Sequence, residues 1–206
     1  MPTIDNITKM YLGDTLISSG GGSKENEIIS RDISDSYTNS SVDKIGNYAF
    51  RECYYLTSVN FASVDNIGKY AFTDCSRLTS VDFPSVDIIN VYAFYGCSKL
   101  TTVNFPIVTI IDNYVFRSCS KLTSVDFPKV ISIGTYAFYN CSALTSVIIR
   151  TTSKVCTLYN ANAFTSTPIA SGTGYIYVPD SLVSSYKSAT NWSTYANQIK
   201  GLSELS

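Results

Sequence analysis

The residues best placed for chemistry are polar side chains that recur every 22 positions along the chain. One position of this recurring pattern alternates between asparagine and aspartate, and threonine and serine precede it. Its polar members are Asn60, Asp82, Asn104 and Asp126. Two carboxylates can serve as acid and base on a glycosidic bond, whereas a row of amides, hydroxyls and carboxylates can bind an extended ligand. The spacing imposed by the repeat decides between these uses.

The spacing argues against hydrolysis. If each repeat adds one strand to a sheet, Asp82 and Asp126 lie two strands apart, or about 10 Å. Glycosidases hold their two carboxyl groups about 5 Å apart when retaining and about 6.5–9.5 Å apart when inverting. The chain has no histidine, which excludes a Ser-His-Asp triad. We therefore expect no catalytic residues and no cofactor, and a glycoside hydrolase is a remote alternative.

Two interpretations of this polar row remain open. It could be a hydrogen-bonding groove for an extended or carbohydrate ligand. It could also be a solvated face whose hydroxyl groups satisfy one another, an interpretation favoured by the absence of aromatic anchors in the repeated segments.

Tyrosines and cations form two further recurring stripes. Arg77, Lys99 and Lys121 share one register position and could hold an anionic chain or remain solvated. A tyrosine stripe precedes an apolar pair in every repeat and could pack structurally or form a binding surface. It consists of Tyr48, Tyr70, Tyr92, Tyr114 and Tyr136.

The recurring cysteines are predicted to be buried, reduced thiols that behave as small apolar groups. They are Cys53, Cys75, Cys97, Cys119 and Cys141. Metal sites require paired ligands such as C-x-x-C, which are missing here, so no metal site is expected. Side chains stacked in parallel hold their Cβ atoms too far apart for disulfides.

The repeat that positions these groups extends from Ile45 to Arg150 in five copies without an insertion. A fixed period of this length indicates a solenoid, in which each coil is stabilised by its neighbours. The apolar-polar alternation at Leu78–Phe83 predicts one short parallel strand per coil, and a proline often follows it. Positions that hold only Gly, Asn or Asp predict a left-handed backbone turn in each coil. They are Gly46, Gly68, Asn90, Asp112 and Gly134.

The motif IGxYAFxxCxxLTSVxFPxV resembles the BspA-like, or Treponema-type, class of leucine-rich repeats over residues 42–150. This resemblance implies a right-handed superhelical solenoid, mostly β, with turns or 3-10 segments on the convex side and the polar row on the concave side. It also implies binding to other macromolecules, often at a bacterial surface, and brings no catalytic residues. The segment YIYVPDSLVSSYKSA, at 175–189, resembles the C-terminal cap found with such repeats.

Three regions are predicted. Residues 1–41 form an N-terminal cap with a hairpin at 7–17, a flexible linker at 18–26 and a capping strand at 27–33. Residues 42–154 form the five regular repeats. Residues 155–206 form a degenerate sixth repeat and a helical cap, with Asp180 or Ser181 and then Asn191 as helix N-caps. The second of these helices is predicted to carry Trp192, Tyr195 and Ile199.

Charge and hydropathy limit the classes of partner that the chain can bind. The 15 basic and 16 acidic residues nearly cancel, which argues against nucleic acid or an anionic membrane as the main partner. No apolar run is long enough for a membrane-spanning helix, and the N-terminus lacks the features of a secretory signal. The sequence therefore favours a non-enzymatic scaffold that binds a protein or glycan. A virion-associated or attachment module of a phage is the alternative, because the signal is absent and the N-terminus resembles an attachment arm.

Overall fold

Equivalent residues of successive repeats stack directly on one another. The computed structural model describes residues 9–12, 15–19, 35–38 and 43–205. One series of equivalent phenylalanines, one from each coil, is almost fully buried, and neighbouring rings of the series stack with centroids 5.1–5.6 Å apart. These are Phe50, Phe72, Phe94, Phe116, Phe138 and Phe164. The predicted solenoid is confirmed, and its core is continuous because each coil covers the apolar face of the next.

Each coil contributes two strands, where the sequence predicted one. The described strands are β1 (Lys9–Leu12), β2 (Thr15–Ser19), β3 (Asp35–Thr38), β4 (Lys44–Ile45), β5 (Leu56–Asn60), β6 (Asn66–Ile67), β7 (Ser80–Asp82), β8 (Ile88–Ile89), β9 (Thr102–Asn104), β10 (Ile110–Ile111), β11 (Ser124–Phe127), β12 (Ser132–Ile133), β13 (Ser146–Ile149), β14 (Thr157–Leu158), β15 (Tyr175–Val178) and β16 (Ile199–Gly201). The described helices are one α-helix, α1 (Val183–Ser188), and four 3-10 segments at Ala161–Phe164, Asp180–Leu182, Trp192–Gln198 and Leu202–Glu204.

The longer strands form two parallel sheets in the orders β3-β5-β7-β9 and β11-β13-β15-β16. The two-residue strands form a third parallel sheet in the order β14-β12-β10-β8-β6-β4. Equivalent residues pair without slippage across the regular repeats, as in Val59 with Val81 and Val81 with Val103. This strict register places each polar residue of a coil beside its equivalent in the next.

The predicted left-handed turns at Gly46, Gly68, Asn90, Asp112 and Gly134 are wrong. The left-handed residues lie two positions later, at the tyrosine stripe, where φ is 56–62°. A second left-handed position follows four residues further on, with φ of 59–72°. Its members are Glu52, Asp74, Gly96, Ser118 and Asn140.

Hydrogen bonding between coils explains these conformations. In the first coil the N–H groups of Tyr48, Phe50 and Glu52 donate to carbonyl groups of the next coil at 2.7–2.9 Å. The alternate N–H groups bond within their own turn instead, as Arg51 does to the Tyr48 carbonyl. Glycine serves another purpose at Gly68, where a Cβ atom would lie 2.5 Å from the backbone of the preceding coil. Glycine thus permits close packing of coils there and is not needed for a positive φ.

The N-terminal region pairs with the solenoid through β3. This strand lies parallel to β5, and the buried Tyr37 contacts Phe50 and Phe61 with ring centroids 5.5 Å away. The strands β1 and β2 pair antiparallel, as the predicted hairpin requires. Residues 18 and 19 belong to β2 and not to the predicted linker. The remainder of that linker and the strand predicted at 27–33 lie outside the described residues.

The C-terminal region ends the β11-β13-β15-β16 sheet and covers the β14 end of the short-strand sheet, although its details differ from the prediction. Ile199 lies in β16, which pairs with β15, and not in a helix. None of the predicted caps, Asp180, Ser181 and Asn191, caps a helix with its side chain. Asp180 Oδ1 instead accepts a hydrogen bond of 2.7 Å from Ser203 Oγ, and Asn191 Nδ2 donates to the Leu158 carbonyl at 2.7 Å.

Side chains of the cap form hydrogen bonds with backbone groups at the outer edge of β14 and in Cys156, the residue before it. Tyr186 Oη accepts a hydrogen bond from the Cys156 N–H at 2.8 Å, and Trp192 Nε1 donates to the Cys156 carbonyl at 2.6 Å. Both aromatic side chains are buried. The cap therefore ends the stack by supplying the polar partners that a further coil would supply.

Candidate functional site

The strand face is the solvent-facing side of the two longer-strand sheets. Strand alternation places two rows of side chains on it. The first row contains Ser58, Ser80, Thr102, Ser124, Ser146 and Tyr175. The second contains Asn60, Asp82, Asn104, Asp126, Ile148, Tyr177 and Lys200. The four polar residues singled out in the sequence therefore lie in one row on one face.

The two aspartates of this row each have a local partner. Asp82 Oδ1 accepts a hydrogen bond of 2.9 Å from Asn104 Nδ2. Asp126 accepts three hydrogen bonds of 2.7–3.0 Å from the guanidinium of Arg150, whose pKa is raised chiefly by these bonds. The sequence identified Arg150 only as the last residue of the strict repeat, so this ion pair was missed. The aspartates thus bond to different neighbours and do not face one another as an acid and base pair.

The threonines beside these rows bond to the backbone. Thr79 Oγ1 donates to the Thr57 carbonyl and Thr101 Oγ1 to the Thr79 carbonyl, each at 3.0 Å. Thr145 repeats the bond with Thr123 at 3.3 Å. These hydroxyl ladders tie each coil to the previous one, so the two rows of the strand face are the side chains left to meet a ligand.

The strand face changes character at its C-terminal end. Ile148, Tyr175 and Tyr177 take positions that hold hydroxyl, amide or carboxylate groups in the earlier coils. The expectation that this face lacks aromatic anchors is therefore wrong for the sixth coil. The alternation of Tyr175 and Tyr177 with the buried Ile176 and Val178 carried this signal in the sequence.

Lys200 completes this end of the face. Its Nζ lies 3.8 Å from the centroid of the Tyr175 ring, and the two tyrosine rings are 6.3 Å apart. We call Ile148, Arg150, Tyr175, Tyr177 and Lys200 the C-terminal patch. It combines apolar area, two aromatic rings and two cations within three neighbouring strands and the residue that follows β13.

The tyrosine stripe is a continuous stack. Its rings lie 4.6–5.3 Å apart with planes 1–17° from parallel. Tyr48 is 50 % exposed, the four others are half-buried, and burial raises the pKa of Tyr92. The Cζ atom of Arg117 lies 4.8–5.8 Å from the ring centroids of Tyr95, Tyr114 and Tyr139. Because neighbouring rings cover one another's faces, the stripe offers mainly edges and hydroxyl groups to solvent.

The five recurring thiols lie in the core with no exposed surface. Each of the last four donates a hydrogen bond of 2.9–3.2 Å from Sγ to a phenylalanine carbonyl of the preceding coil. Burial raises the pKa of these four thiols, to about 12 for Cys141. Thiols held in this way remain protonated and contribute to packing at neutral pH.

Potential metal ligands are not clustered in the described part of the chain. Its His, Cys, Asp and Glu residues form no group of three that could hold an ion. The cation stripe is exposed at Arg77, Lys99 and Lys121, and Arg77 lies over the Tyr55 ring at 5.4 Å.

Comparison with known proteins identifies the repeat. The model of the BspA type leucine rich repeat region matches in six copies, over residues 30–144 and 65–196. No curated protein matches the chain.

Solved structures share the fold. A leucine-rich repeat protein from Bacteroides ovatus is 24 % identical with a TM-score of 0.64, over 83 % of this chain and 43 % of that protein. A leucine rich cell surface protein from Faecalibacterium prausnitzii is 25 % identical with a TM-score of 0.54, over 82 % of this chain and 48 % of that protein. The chain thus spans about half the length of these proteins.

Proposed function

The chain belongs to the BspA-type leucine-rich-repeat family, and we propose that it is a non-enzymatic scaffold whose strand face binds a protein or a glycan. The observation that carries this proposal is the regularity of that face. Two parallel rows of side chains repeat at one-coil spacing along the two four-stranded sheets of longer strands. A periodic surface of this kind suits a large or repetitive ligand that contacts several coils at once.

The bonding of the polar residues supports binding over catalysis. Asp82 and Asp126 are the carboxylates of the second row, and each is engaged by an amide or a guanidinium. A carboxyl group that acts as a general acid is typically desolvated or placed against a second carboxyl group. Asp82 is exposed, and Asp126 is bound to a cation, so neither has such an environment.

The cellular location is also a proposal. No helix among the described residues has the length and apolar character needed to cross a bilayer. The structural relative from Faecalibacterium prausnitzii is described as a cell surface protein. We infer display at a bacterial surface from this relative and from the family.

The binding role can be tested with a variant that removes the polar row. Asn60, Asp82, Asn104 and Asp126 are changed together to alanine. The purified wild type and variant are applied to a glycan array and to a panel of immobilised extracellular proteins. These positions face solvent on strands, so the variant should fold, and an unchanged far-UV circular dichroism spectrum checks this.

The matched control changes the tyrosine stripe, with Tyr48→Ser at its most exposed member. We expect the wild type and the control to share their binding profile and the row variant to lose it. Binding by the row variant at the wild-type level would contradict the proposal.

A further inference from the structure

The strand face is chemically uneven along the stack, and this unevenness carries a further inference. In the first four coils the second row is entirely polar, whereas Ile148, Tyr177 and Lys200 follow in the last three strands. Tyrosine combines a large apolar ring with a polar tip, and such residues dominate the energetics of recognition surfaces. The anchoring end of the face is therefore the C-terminal patch.

The two cations of the patch differ in their availability. Arg150 is held by Asp126 in a bidentate ion pair. Lys200 lies against the Tyr175 ring, and no carboxylate lies within 4.0 Å of its Nζ among the residues that the structure describes. An ammonium group without an acidic partner, placed beside two aromatic rings, complements a ligand that joins a negative charge to an apolar face.

The shape of the patch limits the class of ligand. Its side chains project from the face of a sheet in which β15 already pairs with β13 and β16, so an extended peptide lying across that face would find no main-chain groups of β15 free for hydrogen bonds. Two cavities, of about 390 and 340 Å³, lie away from the patch. The first is lined by Leu158 and Trp192 of the short-strand sheet and its cap, and the second by Ile111 and Asn113. A surface that combines aromatic rings with a row of hydroxyl, amide and carboxylate groups instead suits sugar rings, which present apolar C–H faces and many hydroxyl groups.

We propose that the C-terminal patch binds an acidic polysaccharide, with a sugar ring on Tyr177 and a uronate carboxylate at Lys200, whose ammonium lies over the Tyr175 ring. The chain of sugars then continues along the polar rows toward Ser124 and Asn104. This inference rests on the proposed binding function and names the ligand class and its anchor. It also gives Arg150 a role, because the guanidinium fixes Asp126 where a sugar hydroxyl can donate to its carboxylate.

The experiment is affinity electrophoresis of the full chain in gels that contain polygalacturonate, alginate or hyaluronate. Two further gels separate the contributions of charge and sugar: fully methyl-esterified polygalacturonate has the sugar without the charge, and poly-L-glutamate has the charge without the sugar. Four variants are compared with the wild type: Tyr177→Ala, Tyr177→Phe, Lys200→Gln and Lys200→Arg. Both positions lie on the solvent-facing side of the sheet, and urea unfolding midpoints near the wild-type value verify that the four variants are folded.

We expect at least one polyuronate to retard the wild type, with weaker retardation in the esterified polymer and in poly-L-glutamate. Tyr177→Ala should weaken binding by about tenfold or more, and Lys200→Gln by about fivefold. Tyr177→Phe and Lys200→Arg should retain most of the affinity, because the ring and the charge remain.

Three results would overturn the proposal. Equal retardation by poly-L-glutamate would indicate a surface for acidic polypeptides. Retardation by the esterified polymer equal to that by polygalacturonate would show that Lys200 does not recognise the carboxylate of the ligand. No retardation by any of the three polyuronates would exclude this ligand class, while the array experiment with the row variant would still decide the proposed function independently.

Discussion

Tyr92 and Tyr114 stack with ring centroids 4.6 Å apart and planes 1° from parallel, although both backbones are left-handed. A left-handed conformation costs a residue with a Cβ atom about 1–2 kcal/mol. Two compensations accompany it: each ring packs on both neighbours, and the backbone N–H reaches a carbonyl of the next coil. The stripe is therefore best explained as a device that holds coils in register.

Substitution of Tyr92 tests this explanation. Tyr92→Ala removes three ring contacts, with Tyr70, Tyr95 and Tyr114, but keeps the left-handed conformation, and it should lower the free energy of unfolding by about 2–3 kcal/mol. Tyr92→Gly loses the same contacts but relieves the backbone, so it should be more stable than the alanine variant by about 1 kcal/mol. Urea denaturation measures both, with Tyr92→Phe as the control close to wild type. An alanine variant as stable as the glycine variant would contradict the left-handed assignment.

Close packing of coils predicts a different effect at Gly68. A Cβ atom there would meet the carbonyl carbon of Gly46 and the backbone nitrogen of Asn47, each at 2.5 Å. Backbone atoms cannot rotate away, so Gly68→Ala should destabilise the fold by about 1–3 kcal/mol. The control Ser85→Ala lies on an exposed turn and should change stability by less than about 0.5 kcal/mol. Thermal and urea unfolding of the two variants measure the difference. Equal stabilities would show that the coils lie further apart at Gly68 than the structure places them.

Buried thiols predict a loss of stability at alkaline pH. The folded-state pKa of Cys141 is about 12, against an ordinary value of 9.0, and burial is the cause. The unfolded chain therefore releases this proton at a lower pH than the folded chain does, so the stabilising contribution is complete below about pH 9 and declines as pH rises toward 12. Each such thiol contributes a slope of up to about 1.4 kcal/mol per pH unit in that window.

Urea unfolding at several pH values between 7.5 and 10.5 measures this slope. Cys141→Ala should reduce the dependence of the unfolding free energy on pH by the contribution of one thiol. A wild-type stability that is constant between pH 9 and 10.5 would be inconsistent with protonated thiols in the core.

The cap depends on one buried hydroxyl group. Tyr186 Oη accepts a hydrogen bond from the Cys156 N–H, and Tyr186→Phe leaves that buried donor without its partner. Tyr186→Phe should therefore lower the free energy of unfolding by about 1–3 kcal/mol. Tyr159→Phe is a suitable control, because Tyr159 is 65 % exposed and its substitution should have no measurable effect. Equal unfolding midpoints for the two variants would show that another group satisfies the Cys156 N–H.

The ion pair on the strand face should add little stability. The Asp126 and Arg150 side chains are 40 % and 43 % exposed, and water screens their attraction. A double-mutant cycle with Asp126→Asn and Arg150→Gln should give a coupling of about 0.2–1 kcal/mol that decreases at high salt. A coupling of several kcal/mol, insensitive to salt, would assign the pair a structural role and not one in ligand binding.

The solenoid was predictable because the repeat is strict: the apolar positions of Ile67, Phe72 and Leu78 recur without an insertion, and register follows directly from the period. The left-handed residues were not predictable from residue type. Positions such as Gly68 suggested a positive φ, yet the need there is for space between coils. Tyr70, a residue that rarely adopts positive φ, holds it because the contacts between coils compensate for the cost.

The candidate site was predictable in part. The alternation of Asn60, Asp82, Asn104 and Asp126 identified one row of the strand face. Its aromatic end was missed because Tyr177 lies in a degenerate repeat, after an insertion, and its pairing with Lys200 depends on β16, whose sequence suggested a helix. Arg150 was missed because its bond to Asp126 joins residues 24 positions apart, outside the 22-residue period.

The central claim is a division of roles, in which the tyrosine stripe holds the coils together and the strand face binds the ligand. The most direct measurement compares Tyr92→Ala and Tyr177→Ala in parallel for unfolding free energy and for retardation by polyuronate. We predict that Tyr92→Ala loses about 2–3 kcal/mol of stability but keeps the wild-type retardation, whereas Tyr177→Ala stays within about 1 kcal/mol of wild type and loses it. The reverse pattern, with binding lost in a folded Tyr92 variant and retained in the Tyr177 variant, would contradict the account.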